Sequence, residues 1–176
     1  MHRFGWALVL TAGMMAPGAA NAAEPETLGL ERWKFLIGNW DLVERRYDFD
    51  SKLMQTNHGR ATFSHAMNGK RIQELQTVIS GTDTTTAIHV FVYDPRSKEI
   101  EIARTDSGHH GFWVIIGTMS VGRIDMLEKH PDPESEISRR ITYVRANDDQ
   151  FQRQLEFSRD HGKSWFVRSE WTYTRR

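Results

Sequence analysis

From Trp40 to Arg175 the chain reads almost without interruption as short runs of alternating apolar and polar side chains, each closed by turn-forming residues. A period of two marks a strand with one buried face, and helical spacing is hard to find after Leu36. The runs are Trp40–Asp48, His58–His65, Arg71–Ile79, Thr86–Tyr93, Ile100–Thr105, Phe112–Met119, Arg123–Glu128, Ser138–Arg145, Gln150–Ser158 and Trp165–Arg175. Between them stand Asn68-Gly69, Ser80-Gly81, Asp94-Pro95, Asn147-Asp148 and Asp160-His161-Gly162, which favour tight reversals. About ten antiparallel strands joined by hairpins form a meander, and a meander of this length hides its edges most simply by closing. The predicted fold is therefore all-β, a closed barrel rather than a sandwich. A short helix precedes it within Pro25–Ile37, with Thr27 as cap and Leu30, Trp33, Phe35 and Leu36 on its apolar side.

Residues 1–22 read as an export signal rather than as part of the fold. Arg3 is followed by an apolar run from Phe4 to Met15, by Pro17-Gly18, and by the small-residue site Ala20-Asn21-Ala22. That run is shorter than the roughly 20 residues that span a bilayer. The expected organisation is a leader over 1–22, a segment with the short helix over 23–37, and one barrel domain over 38–176, in a periplasmic or secreted protein. Cleavage removes one of 23 cations and none of 23 acids, leaving a net charge of −1. Such a balance argues against nucleic acid or an anionic membrane as the main partner, and no membrane-spanning segment follows the leader. No cysteine is present, so disulfides, thiol chemistry and Cys-zinc sites are excluded and packing must hold the domain together.

Several motifs carry a family likeness. Gly38-x-Trp40 opens the first strand and Arg175 closes the last, which resembles the Gly-x-Trp and late Arg of the lipocalins and other calycins. There the Trp closes the barrel base beneath a basic side chain. The order "FLIGNWDLVERRY", "FVYDPRSKEIEIARTDS", Gly117 four residues beyond Trp113, and "FSRDHGKSWFVRSEWTYTR" is similar to bacterial lipocalin-like families of unknown function. His161 and Ser164 replace the Gly and Thr usual in the last of these motifs. The resemblance implies a lipocalin-like barrel but no agreed activity. "SRDHGKSW" also resembles the Asp-box hairpin of sialidase propellers. One copy in a chain with room for one barrel makes it a hairpin staple: Asp160 binds turn amides, Gly162 takes a positive φ, and Trp165 packs beneath.

In a barrel, alternate residues face the lumen. The face that begins with Trp40 and Leu42 continues with Glu44 and Arg46. Ile100 and Ile102 lead to Arg104 and Asp106; Ile141 and Tyr143 bring Arg139 and Arg145; Ala87, Phe91 and Tyr93 bring His89; Ile72 brings Glu74. Each face is apolar along part of its length and charged along the rest. Buried charges must pair, and Glu44, Glu74 and Asp106 have Arg46, Arg104 and Arg139 available. The expectation is a polar-ended pocket with Phe91, Tyr93, Trp113 and Tyr143 as walls and Glu44, Arg46, Glu74, Arg104 and Arg139 as anchors.

"RTDSGHHGFW" (Arg104–Trp113) is the most chemically loaded stretch. Asp106 beside His109 has the composition of an oriented imidazole for acid/base work, and His89 is the other candidate. Asp106, His109 and His110 are also metal-ligand types, but adjacent histidines on a strand point apart and a third fixed ligand is missing, so no metal or cofactor is expected. His58, His65, His130 and His161 read as surface. "EKHPDPESEIS" (Glu128–Ser138) reads as a solvated loop at the barrel mouth. Hydrolase, zincin, kinase and dinucleotide-binding signatures are absent. The expected function is binding of a small amphipathic or oxygenated organic molecule in the lumen, by a monomer or homodimer. The alternatives are a cofactor-independent isomerase, lyase or hydrolase acting through Asp106, His109 or His89 in the same barrel, and a filled structural barrel with no ligand.

Overall fold

A computed structural model describes residues 29, 31–108, 111–120, 122–128 and 137–176. The leader reading of residues 1–22, the start of the expected helix, His109, His110, His130 and most of the Glu128–Ser138 loop lie outside the described residues. Ten strands follow in order: β1 (Gly38–Tyr47), β2 (Leu53–Ala66), β3 (Arg71–Ser80), β4 (Asp83–Asp94), β5 (Glu99–Asp106), β6 (Trp113–Ser120), β7 (Arg123–Leu127), β8 (Ser138–Arg145), β9 (Gln150–Ser158) and β10 (Phe166–Arg175). Each pairs antiparallel with its neighbours in sequence, and β1 pairs with β10, so the meander closes into a barrel with no free edge. The described part of the N-terminal segment is helical at Gly29 and Glu31 and ends in a 3₁₀ turn, Lys34–Leu36. None of the described helices is long and apolar enough to cross a membrane.

The end of the barrel where β1 begins is packed solid. Trp33 and Leu36, from the segment that precedes β1, are buried beneath Trp40, Phe63, Phe91, Phe151 and Tyr173. Phe151 and Tyr173 are register partners on β9 and β10 and stack at 4.1 Å, while Phe151 meets Trp40 and Phe63 edge-on. Each such ring contributes on the order of 1.5–3 kcal/mol through burial, the term a domain without disulfides must rely on.

Gly38 and Arg175 finish this end. Arg175 lies 4.3 Å from the Trp40 ring and donates to the carbonyls of Ile37 and Phe35 at 3.0 and 2.9 Å. Trp40 Nε1 donates to Leu36 O at 2.7 Å. Gly38 has a φ of +137°, which favours glycine, and a Cβ there would stand 2.7 Å from Arg175 Nη1 and push the guanidinium aside. The β9–β10 hairpin has the expected staple. Asp160 Oδ1 accepts the Ser164 amide at 2.8 Å, Gly162 has a φ of +86°, and Trp165 Nε1 donates to Gly162 O.

β2 starts five residues earlier than the alternation indicated, at Leu53 rather than His58. Its added turn of strand pairs with the end of β1, with Glu44 opposite Asn57 and Arg46 opposite Gln55. Gln55 and Asn57 occupy positions where the alternation anticipates apolar residues, so alternation alone starts the strand at His58.

Candidate functional site

Above the aromatic floor the lumen changes character. The register puts Glu74 of β3, His89 of β4 and Arg104 of β5 side by side as successive cross-strand partners, with Trp113 of β6 next in the row. From the other side of the barrel comes Arg153 of β9, only 3 % exposed, which the reading of faces did not include. Its guanidinium carbon sits 4.0 Å from the Trp171 ring centroid, Nη2 reaches Gln76 Oε1 at 3.3 Å, and Nη1 stands 3.5 Å from Glu74 Oε2. Tyr173 donates its hydroxyl to Glu74 Oε1 at 3.0 Å.

Burial pushes the Glu74 carboxyl up, but attraction from His89 and Arg153 and the Tyr173 hydrogen bond outweigh it and hold the group at about 2. His89 Nδ1 is 2.8 Å from Glu74 Oε2, although neither atom meets the alignment of a good hydrogen bond. Burial, together with the nearby charges of Arg153 and Arg104, pushes the His89 ring down more than Glu74 pulls it up, so His89 is neutral at pH 7. With the ring neutral, Arg153 is the ion that keeps Glu74 charged. Tyr143, also in this layer, is pushed by burial to about 12 and stays protonated.

The upper end of the lumen, above Gln76 and Arg104, is an open cup of about 420 Å³. Its apolar wall is Val78, Ala87, Trp113, Leu155, Phe157 and Trp171; its polar wall includes Glu44, Arg46, Asn57, Gln76, Arg104, Asp106, Arg168 and Ser169. Asn57 Nδ2 donates to Glu44 Oε2 at 2.8 Å, and Arg104 Nη2 donates to Asp106 Oδ2 at 3.0 Å. Arg104 also stacks 5.4 Å from the Trp113 ring, as Arg139 does at 5.1 Å. Six buried side-chain polar atoms have no hydrogen-bond partner among the described residues, and three of them, Asn57 Oδ1, Arg104 Nε and Trp171 Nε1, belong to residues of the cup.

The candidate residues thus fall into four groups. Glu44, Arg46, Arg104, Asp106 and Trp113 line the cup as expected. Glu74, His89 and Tyr143 form the buried layer beneath it, and Phe91 and Tyr93, expected as pocket walls, are instead fully packed in the aromatic floor. Arg139 is turned to Glu128, with Nη1 to Oε1 at 2.8 Å, and Arg145 is exposed beside Phe35. Asp106 pairs with Arg104, one of the expected guanidiniums, its second oxygen accepting the Gly108 amide, whereas Glu74 takes Arg153 and His89 and Glu44 accepts a hydrogen bond from Asn57. His58, His65 and His161 are exposed. No group of three metal-ligating side chains exists among the described residues.

Sequence reasoning missed Asn57, Gln76, Arg153, Ser169 and the cup-facing role of Trp171. One of these had a signal. "FQRQLEF" places Arg153 alone between Phe151 and Leu155 on an apolar face, the same pattern that singled out Arg104 beside Ile102.

No protein-family model matches this chain, and no curated protein does. Solved structures do. The protein Rv2717c of M. tuberculosis is 13 % identical, with 88 % of this chain and 99 % of that one covered at a TM-score of 0.58. A redesigned β-barrel, mFAP1, bound to DFHBI, is 11 % identical over 81 % of this chain and 96 % of its own, at 0.44. A protein of unknown function from the DUF3598 family of Nostoc punctiforme is 9 % identical over 82 % and 99 %, at 0.25. The first shares the fold; the other two superpose too loosely to support a conclusion.

Proposed function

We propose that this protein is a binding barrel that holds a small oxygenated organic molecule in the cup at the mouth of its lumen. The observation that carries the reading is the division of the lumen. Its lower half is filled by rings, whereas its upper half keeps about 420 Å³ open between aromatic and polar walls. A barrel with a purely structural role gains stability by filling that space, and pockets of this size with few placed polar groups are the usual form of small-ligand sites. The lipocalin-like reading of Gly38, Trp40 and Arg175, and export through cleavage after Ala22, belong to the same proposal.

Native mass spectrometry of protein incubated with a small-molecule extract of its host tests it. The expected result is a discrete small-molecule adduct released on unfolding and lost in Val78→Trp, a substitution that fills the cup. An adduct retained by the folded variant, or no adduct from any extract, overturns the reading.

A further inference from the structure

The charges that open on the cup, set against those that do not, define the kind of molecule it would take, an inference that rests on the binding reading above. Five charged side chains line it: Arg46, Arg104 and Arg168, and the carboxylates of Glu44 and Asp106. They are not equally accessible. Glu44 is 8 % exposed and accepts from Asn57, and the Asp106 side chain, 6 % exposed, is held by Arg104 and the Gly108 amide. Arg46 is exposed, Arg168 is half-buried, and the Arg104 side chain keeps 20 % of its surface. A molecule entering the cup therefore meets guanidiniums, while both carboxylates are sunk in the wall.

Two of these cations have no carboxylate to neutralise them. Arg46 and Arg168 make no ion pair among the described residues; Arg168 donates to the Tyr47 carbonyl and lies 5.9 Å from the Phe49 ring, neither of which carries a charge. They share one wall, since Arg46 on β1 is the register partner of Ser169 on β10, the residue after Arg168. Arg168 reaches the cup through an irregularity. Ser169 and Trp171 are buried, and strict alternation with a buried Ser169 would send Arg168 outward. The β9–β10 register shifts between Val167 and Ser169, however, leaving Arg168 without a partner on β9. A bulge of this kind re-aims the side chain it carries. Two like charges on one wall repel each other and gain from a bound anion.

The apolar surface on offer lies beside and across from that wall, in the half-buried Leu155 and Phe157 of β9, Trp113 of β6 and Val78 of β3. Beneath it the aromatic floor closes the lumen, so the body of the ligand must be compact rather than run the length of the barrel.

We infer that the cup selects a compact organic carboxylate, with its head toward the Arg46 and Arg168 wall and its apolar body against Trp113, Leu155 and Phe157. Neutral and cationic molecules of the same shape bind more weakly.

Titration calorimetry with three probes of one shape, 2-naphthoate, 2-naphthamide and 2-naphthylmethylammonium, tests this on wild type, Arg46→Gln and Arg168→Gln. Wild type binds the acid about tenfold tighter than the amide, and the ammonium least. Arg168→Gln lowers the ratio of acid to amide affinity by about tenfold, the loss of one charge-assisted contact. Arg46→Gln lowers it by about threefold, because solvent screens the more exposed cation. The ratio separates lost charge recognition from general damage to the fold, which weakens both probes alike. If the amide or the ammonium binds wild type as tightly as the acid, or if either variant keeps the wild-type ratio, the ligand class is overturned while the cup remains a binding site. If none of the three probes binds wild type, the binding reading itself falls.

Discussion

Arg153 and Glu74 meet at 3.5 Å in the middle of the lumen, although β9 and β3 are separated around the ring by β10, β1 and β2. Each is almost fully buried. The pair divides the barrel: below it the lumen is aromatic and filled, above it polar and open. The hydrogen bonds of Tyr173 to Glu74 and of Arg153 to Gln76, and the Trp171 ring beside Arg153, give both charges partners other than water. Without these, desolvation would exceed the attraction between them.

Breaking this pair from one side is expected to be costly. Arg153→Met leaves Glu74 charged and buried with a neutral imidazole as neighbour, and stability measured by urea denaturation falls by about 3–5 kcal/mol. The double variant Glu74→Gln with Arg153→Met recovers most of that loss, because no uncompensated charge remains. Additive losses in the double-mutant cycle would mean that the two residues act independently.

Acid should destabilise the fold in two stages. The Glu74 carboxyl is depressed from an ordinary value of 4.5 to about 2, so its stabilisation is complete above 4.5 and disappears as pH falls toward 2. His89 is lowered from 6.5, so the unfolded chain takes up this proton first and stability declines as pH drops below 6.5. Glu74→Gln should flatten the lower stage and His89→Gln the upper one in melts recorded from pH 7 to pH 3. Unchanged slopes in both would remove the assignment.

At the closed end, Gly38→Ala should lower stability by roughly 1–3 kcal/mol, the cost of holding a side chain at a φ that favours glycine. The added methyl also displaces Arg175 from the Trp40 face. Fluorescence of the indoles during chemical unfolding reports it, and a wild-type midpoint would show that this corner yields freely.

Export predicts a new N-terminus. The intact mass of protein recovered from outside the cytoplasm should correspond to a chain starting at Ala23, and a full-length mass there would count against the leader.

Much of this architecture was legible in alternation alone. The inward faces of β1, β3, β4 and β5 follow from placing Trp40, Ile72, Phe91 and Ile102 in the core, and the charged residues on those faces do point into the lumen. What alternation lacks is the third dimension. It lists Glu74 and Arg104 on inward faces without showing that Arg153 reaches Glu74 from β9, or that Arg104 is taken by Asp106 two residues along its own strand. Nor does it weigh level along the barrel axis, so Phe91 and Tyr93 read as walls although they sit in the floor. The polar start of β2 was invisible for the reason that makes it useful: Gln55 and Asn57 interrupt the apolar pattern where β2 runs beside the cup, and Asn57 lines it.

The most direct test of the account is a crystal structure of the protein grown with the small-molecule extract of its host. It should show the open cup above Gln76 occupied by a small molecule between the Trp113 and Trp171 walls. A lumen filled to its mouth by the protein's own side chains, or a small molecule found only on the outer face of the barrel, would contradict it.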